Sequence, residues 1–405
     1  MALSSWVPGA DGSGFPAEHL PYGVVSVAGG PASVAARIGD RVVDLARLAA
    51  DGLVTGPFDA PALNPFLAGG PARWREVREA LTELVCDPAA RRRVEPALVP
   101  LADVTVHRPI DVADYVDFYS SLEHATNLGR LFRPDAEPLL PNWRHLPVAY
   151  HGRAGTVVVS GTPVPRPSGQ RRAADGTITV GPSARLDIEL EVGFVVGAPS
   201  TPGRPVTVAE APDHVFGVAL VDDWSARDVQ AWEYQPLGPF LGKSFATTIA
   251  GWVTPLAALD DCRVPGPAQE PAPQAYLRRD APWGLALDLA VELRPAGAAS
   301  ATTISRTTSA GLYWTFPQQV AHLTVNGAHL RTGDLLASGT VSGPTRGSEG
   351  SLIELTRGGA EPLDVGGVER TFLADGDEVV LRGRADVGDG VVLTLGEAAG
   401  RILPD

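Results

Sequence analysis

The chain has 405 residues, 44% hydrophobic and 20% charged, so it is long enough for two or three globular domains and is not a disordered chain. Its formal net charge of −14 argues against nucleic acid or an anionic membrane surface as the main partner. No apolar run approaches the ~20 residues of a membrane span, and Cys86 and Cys262 form no CxxC motif or disulfide framework, which favours a reducing cytoplasm.

Short strands and one amphipathic helix are predicted in the first part of the chain. The helix covers Trp74 to Val85, because apolar residues recur there at helical spacing. The strands, broken by Gly and Pro, are Tyr22–Val27, Val34–Ile38 and Arg41–Leu45. Val99 to Pro109 is interpreted as a connecting segment, which places a domain boundary near residue 109 and predicts domains at 1–109 and 110–405.

From residue 110 the pattern is rich in strands, in line with the 45 Gly and 37 Pro residues of the chain. Helices are predicted at Ser225–Trp232 and Phe316–Leu323. The predicted strands are Val157–Val159, Leu186–Val196, Val215–Val221, Leu285–Leu293, Leu352–Leu355 and Glu378–Arg382. The larger part is therefore predicted to be one β-rich domain whose short loops carry the chemistry.

Several well-known catalytic and nucleotide-binding motifs are absent. The sequence has no G-x-S-x-G elbow, no G-x-G-x-x-G loop and no H-E-x-x-H helix. Gly238 to Ser244 resembles a phosphate-binding loop, but it is one residue short and contains Pro239, which lacks an N–H donor. A nucleotide site is therefore not favoured.

Acidic residues are the strongest local signal. Asp187, Glu189 and Glu191 alternate along a predicted strand and would share one face. Asp222-Asp223 follows a buried strand, and Asp117 lies in an acidic and aromatic segment. Carboxylates that converge in this way select a hard cation such as Ca²⁺, Mg²⁺ or Mn²⁺. Solvated acids on an exposed strand face are the alternative interpretation.

His124 is a candidate general base, because imidazole exchanges a proton near neutral pH. Residue type alone does not separate it from the other histidines His145, His151, His322 and His329. Lys243 is the one Lys in a chain that otherwise uses Arg. A compact ammonium differs from a planar guanidinium, so either this position requires Lys or the residue survives by chance.

Longer motifs carry a resemblance to a known family. They begin with Leu20–Val24, Asp114–Ser121 and His124–Asn127, and continue with Pro141–Trp143, Leu146–Arg153, Asp222–Asp228, Trp232–Tyr234, Pro236–Phe245 and Leu335–Thr340. In order and over essentially the whole chain, these segments resemble the fumarylacetoacetase (fumarylacetoacetate hydrolase) family.

The resemblance implies an α+β, β-rich fold. A small SH3-like barrel domain would come first, followed by a larger C-terminal domain of mixed β-sandwich or β-roll type. It also implies a cytoplasmic homodimer that uses a divalent cation to cleave a C–C bond of 4-fumarylacetoacetate with water. The products would be fumarate and acetoacetate, in the last step of tyrosine and phenylalanine degradation.

Site residues carried over from the resemblance fall into three groups. The implied metal ligands are Asp117, Glu189, Glu191 and Asp223, with a second ion position near Asp223, Lys243 and Thr247; Asp187 lies outside this set. The implied catalytic residues are His124 as base, Glu354 as the acid that orients it, and Arg227, Gln230 and Lys243 around the oxyanion. The implied substrate contacts are Tyr119, Arg133, Tyr150, Gln230, Tyr234 and Thr340.

Three residues depart from the pattern that the resemblance implies: Glu123 before His124, Ala149 before Tyr150, and Asp222 where Asn is expected. They affect the expected substrate preference more than the reaction type. Within the wider superfamily, the alternatives are an acylpyruvate hydrolase, or a decarboxylase or isomerase of oxo-acids. A non-enzymatic, metal-stabilised dimer that binds a dicarboxylate is the alternative from another class.

Overall fold

A computed structural model describes residues 2–279 and 281–405, and a large mixed sheet runs through both predicted domains. The strands of the first part are β1 (Tyr22–Val27), β2 (Ser33–Ile38), β3 (Arg41–Asp44), β4 (Leu98–Pro100) and β5 (Val104–His107). Its helices are α1 (Leu45–Ala50), α2 (Asn64–Leu67), α3 (Gly70–Cys86) and α4 (Arg91–Val94). The predicted helix is therefore confirmed and is longer at its N-terminus, where Pro71 occupies the first turn.

The segment predicted as a connector before residue 109 is instead part of the sheet. β4 pairs with β3, and β5 pairs antiparallel with β1. Its apolar side chains Val99, Val104 and Val106 are partly buried and pack against a small cluster that includes Val25 and Trp252. Among the described residues β4 and β5 do not pair with each other, so these strands do not close into a barrel.

The rest of the chain contributes most of the strands. Its helices are α5 (Leu122–Phe132), α6 (Arg227–Glu233), α7 (Phe316–Thr324) and α8 (Leu352–Leu355). Its strands up to residue 226 are β6 (Tyr115–Phe118), β7 (Ala149–His151), β8 (Val157–Val159), β9 (Val164–Pro165), β10 (Ser168–Arg172), β11 (Ile178–Pro182), β12 (Leu186–Asp187), β13 (Leu190–Val196), β14 (Val215–Asp222) and β15 (Ser225–Ala226).

The later strands complete two packed sheets and several small hairpins. They are β16 (Thr247–Ile249), β17 (Trp252–Pro255), β18 (Arg263–Val264), β19 (Gly284–Leu285), β20 (Asp288–Arg294), β21 (Thr302–Thr308), β22 (Leu335–Ala337), β23 (Leu363–Val365), β24 (Val368–Arg370), β25 (Glu378–Asp386), β26 (Val392–Thr394) and β27 (Ala398–Leu403). The fold is thus mixed and β-rich, as expected. Among the described residues, no helix is long and apolar enough to cross a membrane.

The strand order explains how the site is assembled. The large sheet runs β4-β3-β2-β1-β17-β14-β13-β22-β6-β7, and a second sheet runs β21-β20-β25-β27-β9. β13 and β14 pair antiparallel and are buried along their whole length, including the acidic residues Glu191 and Asp222. β1 also pairs with β17, through Tyr22 and Val253, so the sheet continues across the predicted boundary at residue 109.

Three predicted strands differ from the structure. Leu285–Leu293 is interrupted, because β19 ends at Leu285 and β20 begins at Asp288. Leu352–Leu355 is a helical turn, and its Ser351-x-x-Glu354 sequence is the pattern of a helix start rather than of a strand. The predicted strand 186–196 is interrupted, because β12 ends at Asp187 and β13 begins at Leu190. The predicted single face of three carboxylates is therefore wrong, and Asp187 takes a separate role described below.

Candidate active site

Neighbouring strands of the large sheet bring the acidic residues together. Asp117 lies on β6, Glu191 on β13, and Glu189 just before it, while Asp223 follows the end of β14. β22 lies between β6 and β13 and pairs with both, so side chains far apart in sequence reach one region. All four carboxylates are buried, which rejects the alternative of solvated acids on an exposed face.

Asp117, Glu189 and Glu191 form a buried cluster. One carboxylate oxygen from each lies within 4.8 Å of the others. Asp117 Oδ1 and both oxygens of Glu191 have no hydrogen-bond partner among the described residues. Burial, reinforced by the surrounding carboxylates, raises the pKa of Asp117 and of Glu191 well above the usual values. Buried oxygens without donors are costly unless a cation neutralises them, so this donor set fits a hard divalent ion.

Lys243 lies between two of the carboxylates. Its Nζ donates to Glu189 Oε2 and, at 2.9 Å, to Asp223 Oδ2. Asp223 also accepts hydrogen bonds from Tyr150 Oη at 3.0 Å and from Thr247 Oγ1 at 2.8 Å. Burial opposes a charged lysine, but Asp223 and Glu189 outweigh it and raise the pKa of Lys243, so the ammonium is retained.

Arg227 supplies a second buried cation. Its Nη1 donates to Glu189 Oε1 at 2.8 Å and to Gln230 Oε1 at 3.1 Å, and its Nε donates to Asp187 Oδ2 at 2.8 Å. Asp187 also accepts the backbone N–H groups that begin α8. Asp187 therefore holds Arg227 in place and lies outside the carboxylate cluster. Burial would raise the pKa of Glu189, but the adjacent Lys243 and Arg227 hold it below the usual value.

His124 and Glu354 form a buried pair beside this cluster. His124 lies in the first turn of α5, where Ser121 caps the helix by accepting its backbone N–H. His124 Nδ1 lies 2.6 Å from Glu354 Oε2, and its Nε2 lies 3.9 Å from Glu189 Oε1. Burial raises the pKa of Glu354, but the imidazole and several hydrogen bonds outweigh it, so the net shift is downward. His124 is thus a candidate histidine that lies beside a carboxylate of the cluster.

The predicted substrate-contact residues differ in their position relative to the His124–Glu354 pair and the carboxylate cluster. The ring of Tyr119 meets that of His124 edge-on at 5.3 Å, and Thr340 Oγ1 is buried without a partner among the described residues. Tyr150 faces Asp117 across β6 and β7 and lines a cavity of about 160 Å³ with Lys243. Arg133 and Tyr234 are half-buried: Arg133 Nη2 donates to Pro138 O at 2.7 Å, and the Tyr234 ring lies 6.1 Å from that of Phe132.

Sequence reasoning missed the residues that hold Glu354. Asn127 Nδ2 donates to its Oε1 at 2.9 Å, while Ser342 and Ser351 donate to its Oε2 at 2.9 and 2.6 Å. The Ser351-x-x-Glu354 spacing, which is typical of a helix start, indicates from the sequence that Ser351 lies near Glu354. Nothing local in the sequence points from Ser342 or Asn127 to Glu354.

Asp222, which stands where the family resemblance implies Asn, has a structural role. Its Oδ1 accepts the backbone N–H of Glu189, the residue just before β13, at 3.1 Å, and its Oδ2 has no partner among the described residues. Burial raises the pKa of Asp222 well above the usual value.

A buried carboxylate cluster with two cations and a His–Glu pair is typical of a hydrolase that works with a divalent cation. A family model described as fumarylacetoacetate (FAA) hydrolase C-terminal matches residues 114–402, and one described as fumarylacetoacetase N-terminal matches residues 18–109. The chain belongs to the fumarylacetoacetate hydrolase family.

Relatives match over the full length of the chain. The fumarylacetoacetase of Rattus norvegicus is 47% identical over 99% of this chain and 99% of its own length, and that of Homo sapiens is 46% identical over the same shares. A solved fumarylacetoacetate hydrolase from Exiguobacterium antarcticum has a TM-score of 0.55 at 16% identity, covering 95% of this chain and 100% of that chain. That structural likeness supports the fold alone.

Proposed function

We propose that this chain hydrolyses 4-fumarylacetoacetate to fumarate and acetoacetate, the last step of tyrosine and phenylalanine degradation. The observation that carries the proposal is the buried His124–Glu354 pair, whose free imidazole nitrogen lies 3.9 Å from a carboxylate of the acidic cluster. Full-length relatives that carry the name fumarylacetoacetase support the choice of substrate.

The proposed ligands of a divalent cation are Asp117, Glu189, Glu191 and Asp223. The unpartnered oxygens of Asp117 and Glu191 support the first three positions most directly. When bound, Ca²⁺, Mg²⁺ or Mn²⁺ polarises ketone oxygens and spreads the charge of an enolate. A second ion position near Asp223, Lys243 and Thr247 belongs to the same proposal, with Lys243 contributing its main-chain carbonyl. The hydrogen bond from Thr247 Oγ1 to Asp223 supports this grouping.

The proposed base is His124. An ionised Glu354 accepts the Nδ1–H of His124, which leaves the lone pair on Nε2 to take a proton from water. The water oxygen then bonds to the ketone carbon that is attached to the C=C bond, and the π electrons of that carbonyl move onto its oxygen as an oxyanion. The carbonyl re-forms as the carboxyl group of fumarate while the bond from this carbon to the neighbouring CH₂ breaks, and the electron pair leaves on the CH₂ carbon as an enolate of acetoacetate. The proton held by His124 passes to this CH₂ carbon, so the step balances.

Positive charge and hydrogen-bond donors lie where negative charge would develop. Lys243, Arg227 and Gln230 are proposed to stabilise the oxyanion, because preorganised donors act most strongly in a buried site. Arg227 Nη2 is buried without a partner among the described residues and so retains a free donor. Tyr119, Arg133, Tyr150, Gln230, Tyr234 and Thr340 are proposed to contact the substrate.

The proposal also covers the two domains, the oligomeric state and the cellular compartment. The first 109 residues form an SH3-like domain and residues 110–405 a β-sandwich or β-roll domain, and the chain works as a cytoplasmic homodimer. The five short antiparallel strands β1 to β5 support the SH3-like description. The free Cys86 and Cys262 support a reducing compartment.

The experiment is an absorbance assay on fumarylacetoacetate with purified protein, with and without a chelator. Loss of substrate absorbance, formation of fumarate and acetoacetate, and recovery of activity when the divalent ion is restored support the proposal. A metal-loaded, folded protein that leaves fumarylacetoacetate intact would refute it.

A further inference from the structure

The carboxylate of Glu354 accepts more hydrogen bonds than an orienting group requires. His124 Nδ1 reaches Oε2 at 2.6 Å, and the hydroxyls of Ser351 and Ser342 donate to the same oxygen at 2.6 and 2.9 Å. Asn127 Nδ2 donates to the other oxygen, Oε1, at 2.9 Å. Both oxygens are therefore held, and the carboxylate plane has no freedom to rotate.

His124 and Asn127 hold the two oxygens from one helix. They lie three residues apart on α5, so their side chains project from the same face. His124 contacts Oε2 and Asn127 contacts Oε1, which makes a two-point clamp between α5 and α8. The angle between the imidazole and the carboxylate is thus set by helix geometry rather than by a single hydrogen bond.

Ser342 ties the same carboxylate to the start of α5. Its Oγ donates to Glu354, accepts the Gly350 N–H at 3.0 Å, and is buried. Its carbonyl accepts the hydroxyl of Ser121, the residue that caps α5 one turn before His124. Ser342 therefore contacts both the segment that carries the carboxylate and the helix that carries the base.

We propose that Asn127 and Ser342 are positioning residues of the His124–Glu354 pair, which keep Glu354 aligned so that the Nε2 lone pair of His124 points toward the carboxylate cluster. Neither residue touches the cluster, so each acts through Glu354. The kinetic part of this proposal rests on the proposed hydrolysis of fumarylacetoacetate, whereas the geometric part does not.

The kinetic test is a double-mutant cycle between Asn127 and Glu354. Asn127→Ala should lower kcat roughly 10- to 100-fold, the usual effect of losing an outer hydrogen bond to a site residue, with little change in KM. In the Glu354→Ala background the same substitution should have almost no further effect, because the carboxylate that accepts the Asn127 hydrogen bond is gone. Ser342→Ala should show the same pattern, and Asn127→Ala keeps the test independent of any folding defect at the buried serine.

Thr126→Val is the matched control on the same helix. Its hydroxyl donates to Leu122 O at 2.6 Å and not to Glu354, so its loss should leave kcat near the wild-type value. The proposal would be overturned if Asn127→Ala lowered kcat by the same factor whether Glu354 is present or replaced. A wild-type kcat in the single variant Asn127→Ala would also overturn it. A matching fall in melting temperature for Asn127→Ala and Thr126→Val, with equal losses of kcat, would also overturn it.

An NMR measurement separates this inference from the proposed reaction. In ¹⁵N-histidine-labelled, metal-loaded protein, the Nδ1 proton of His124 is assigned by its absence from His124→Ala. Its resonance should shift in Asn127→Ala and stay in place in Thr126→Val. If the wild-type protein leaves fumarylacetoacetate intact, the proposed function fails and this shift alone decides the positioning role. An unchanged resonance in Asn127→Ala would refute it.

Discussion

Replacing Lys243 with arginine should slow catalysis far more than it destabilises the fold. Lys243 is 5% exposed, and its ammonium lies between Glu189 and Asp223. A wider guanidinium overpacks such a site at a cost of about 1–3 kcal/mol. The adjacent cavity of about 160 Å³ offers room, which favours the lower end of that range. With an unfolding entropy of about 2.1 cal/mol/K per residue, a cost of about 1 kcal/mol in a chain of 405 residues corresponds to a fall in melting temperature of about 1 °C.

The same change should lower kcat/KM by roughly 10²–10³-fold, the usual effect of removing one donor from a developing oxyanion. Melting temperature and kcat/KM on fumarylacetoacetate are measured together with those of the control Arg153→Lys, an exposed residue that lines the same cavity. A stable but slow enzyme is expected for Lys243→Arg, and a nearly unchanged one for Arg153→Lys. Wild-type turnover in Lys243→Arg would refute the reasoning, and collapse of both properties would make the lysine structural.

The remaining predictions concern the base, the backbone and the cation. His124→Ala should keep the fold and lower kcat by roughly 10²–10⁴-fold, the usual share of a general base, so near-normal turnover in a pure sample would assign the role elsewhere. Gly339→Ala should prevent folding or abolish activity, because Gly339 has a φ of +76° and an added Cβ would lie 2.1 Å from Phe118 O; a wild-type melting temperature would contradict this. In chelator-treated protein, burial raises the pKa of Asp117 and Glu191, so their contribution to stability is present at low pH and is lost as pH rises through those raised values. Adding Mg²⁺ or Ca²⁺ should therefore raise the melting temperature more at pH 8 than at pH 5, and an equal rise at both would contradict the cluster as the ion site.

Strands whose own side chains fix their structure could be predicted from the sequence. Tyr22–Val27 and Val157–Val159 have the predicted bounds, because β-branched residues between turn residues specify a strand locally. The apolar run Leu352–Leu355 does not by itself distinguish a helical turn from a strand. Asp187 accepts hydrogen bonds from the N–H groups that begin this helical turn. The local sequence pattern does not reveal this long-range contact.

The site residues also divide into those that the sequence predicts and those that depend on tertiary packing. The acidic pattern and the motif resemblance predicted Asp117, Glu189 and Glu191 as ligands, and strand pairing brings one oxygen of each within 4.8 Å of the others. The Asn127 and Ser342 contacts to Glu354 could not be predicted, because they depend on the packing of α5 against α8 and on a loop far along the chain. Residue type suggests a chemistry, whereas the partners of a residue depend on the tertiary fold.

The most direct test of the proposed function is turnover of fumarylacetoacetate by the purified chain, with fumarate and acetoacetate quantified as they form. The measurement compares wild type with His124→Ala, each before and after removal and return of a divalent cation. Wild type should give stoichiometric products, lose activity on chelation and recover it when the cation is added, and His124→Ala should be slow but folded. Intact substrate with folded, metal-loaded wild type, or equal rates for the two proteins, would contradict it.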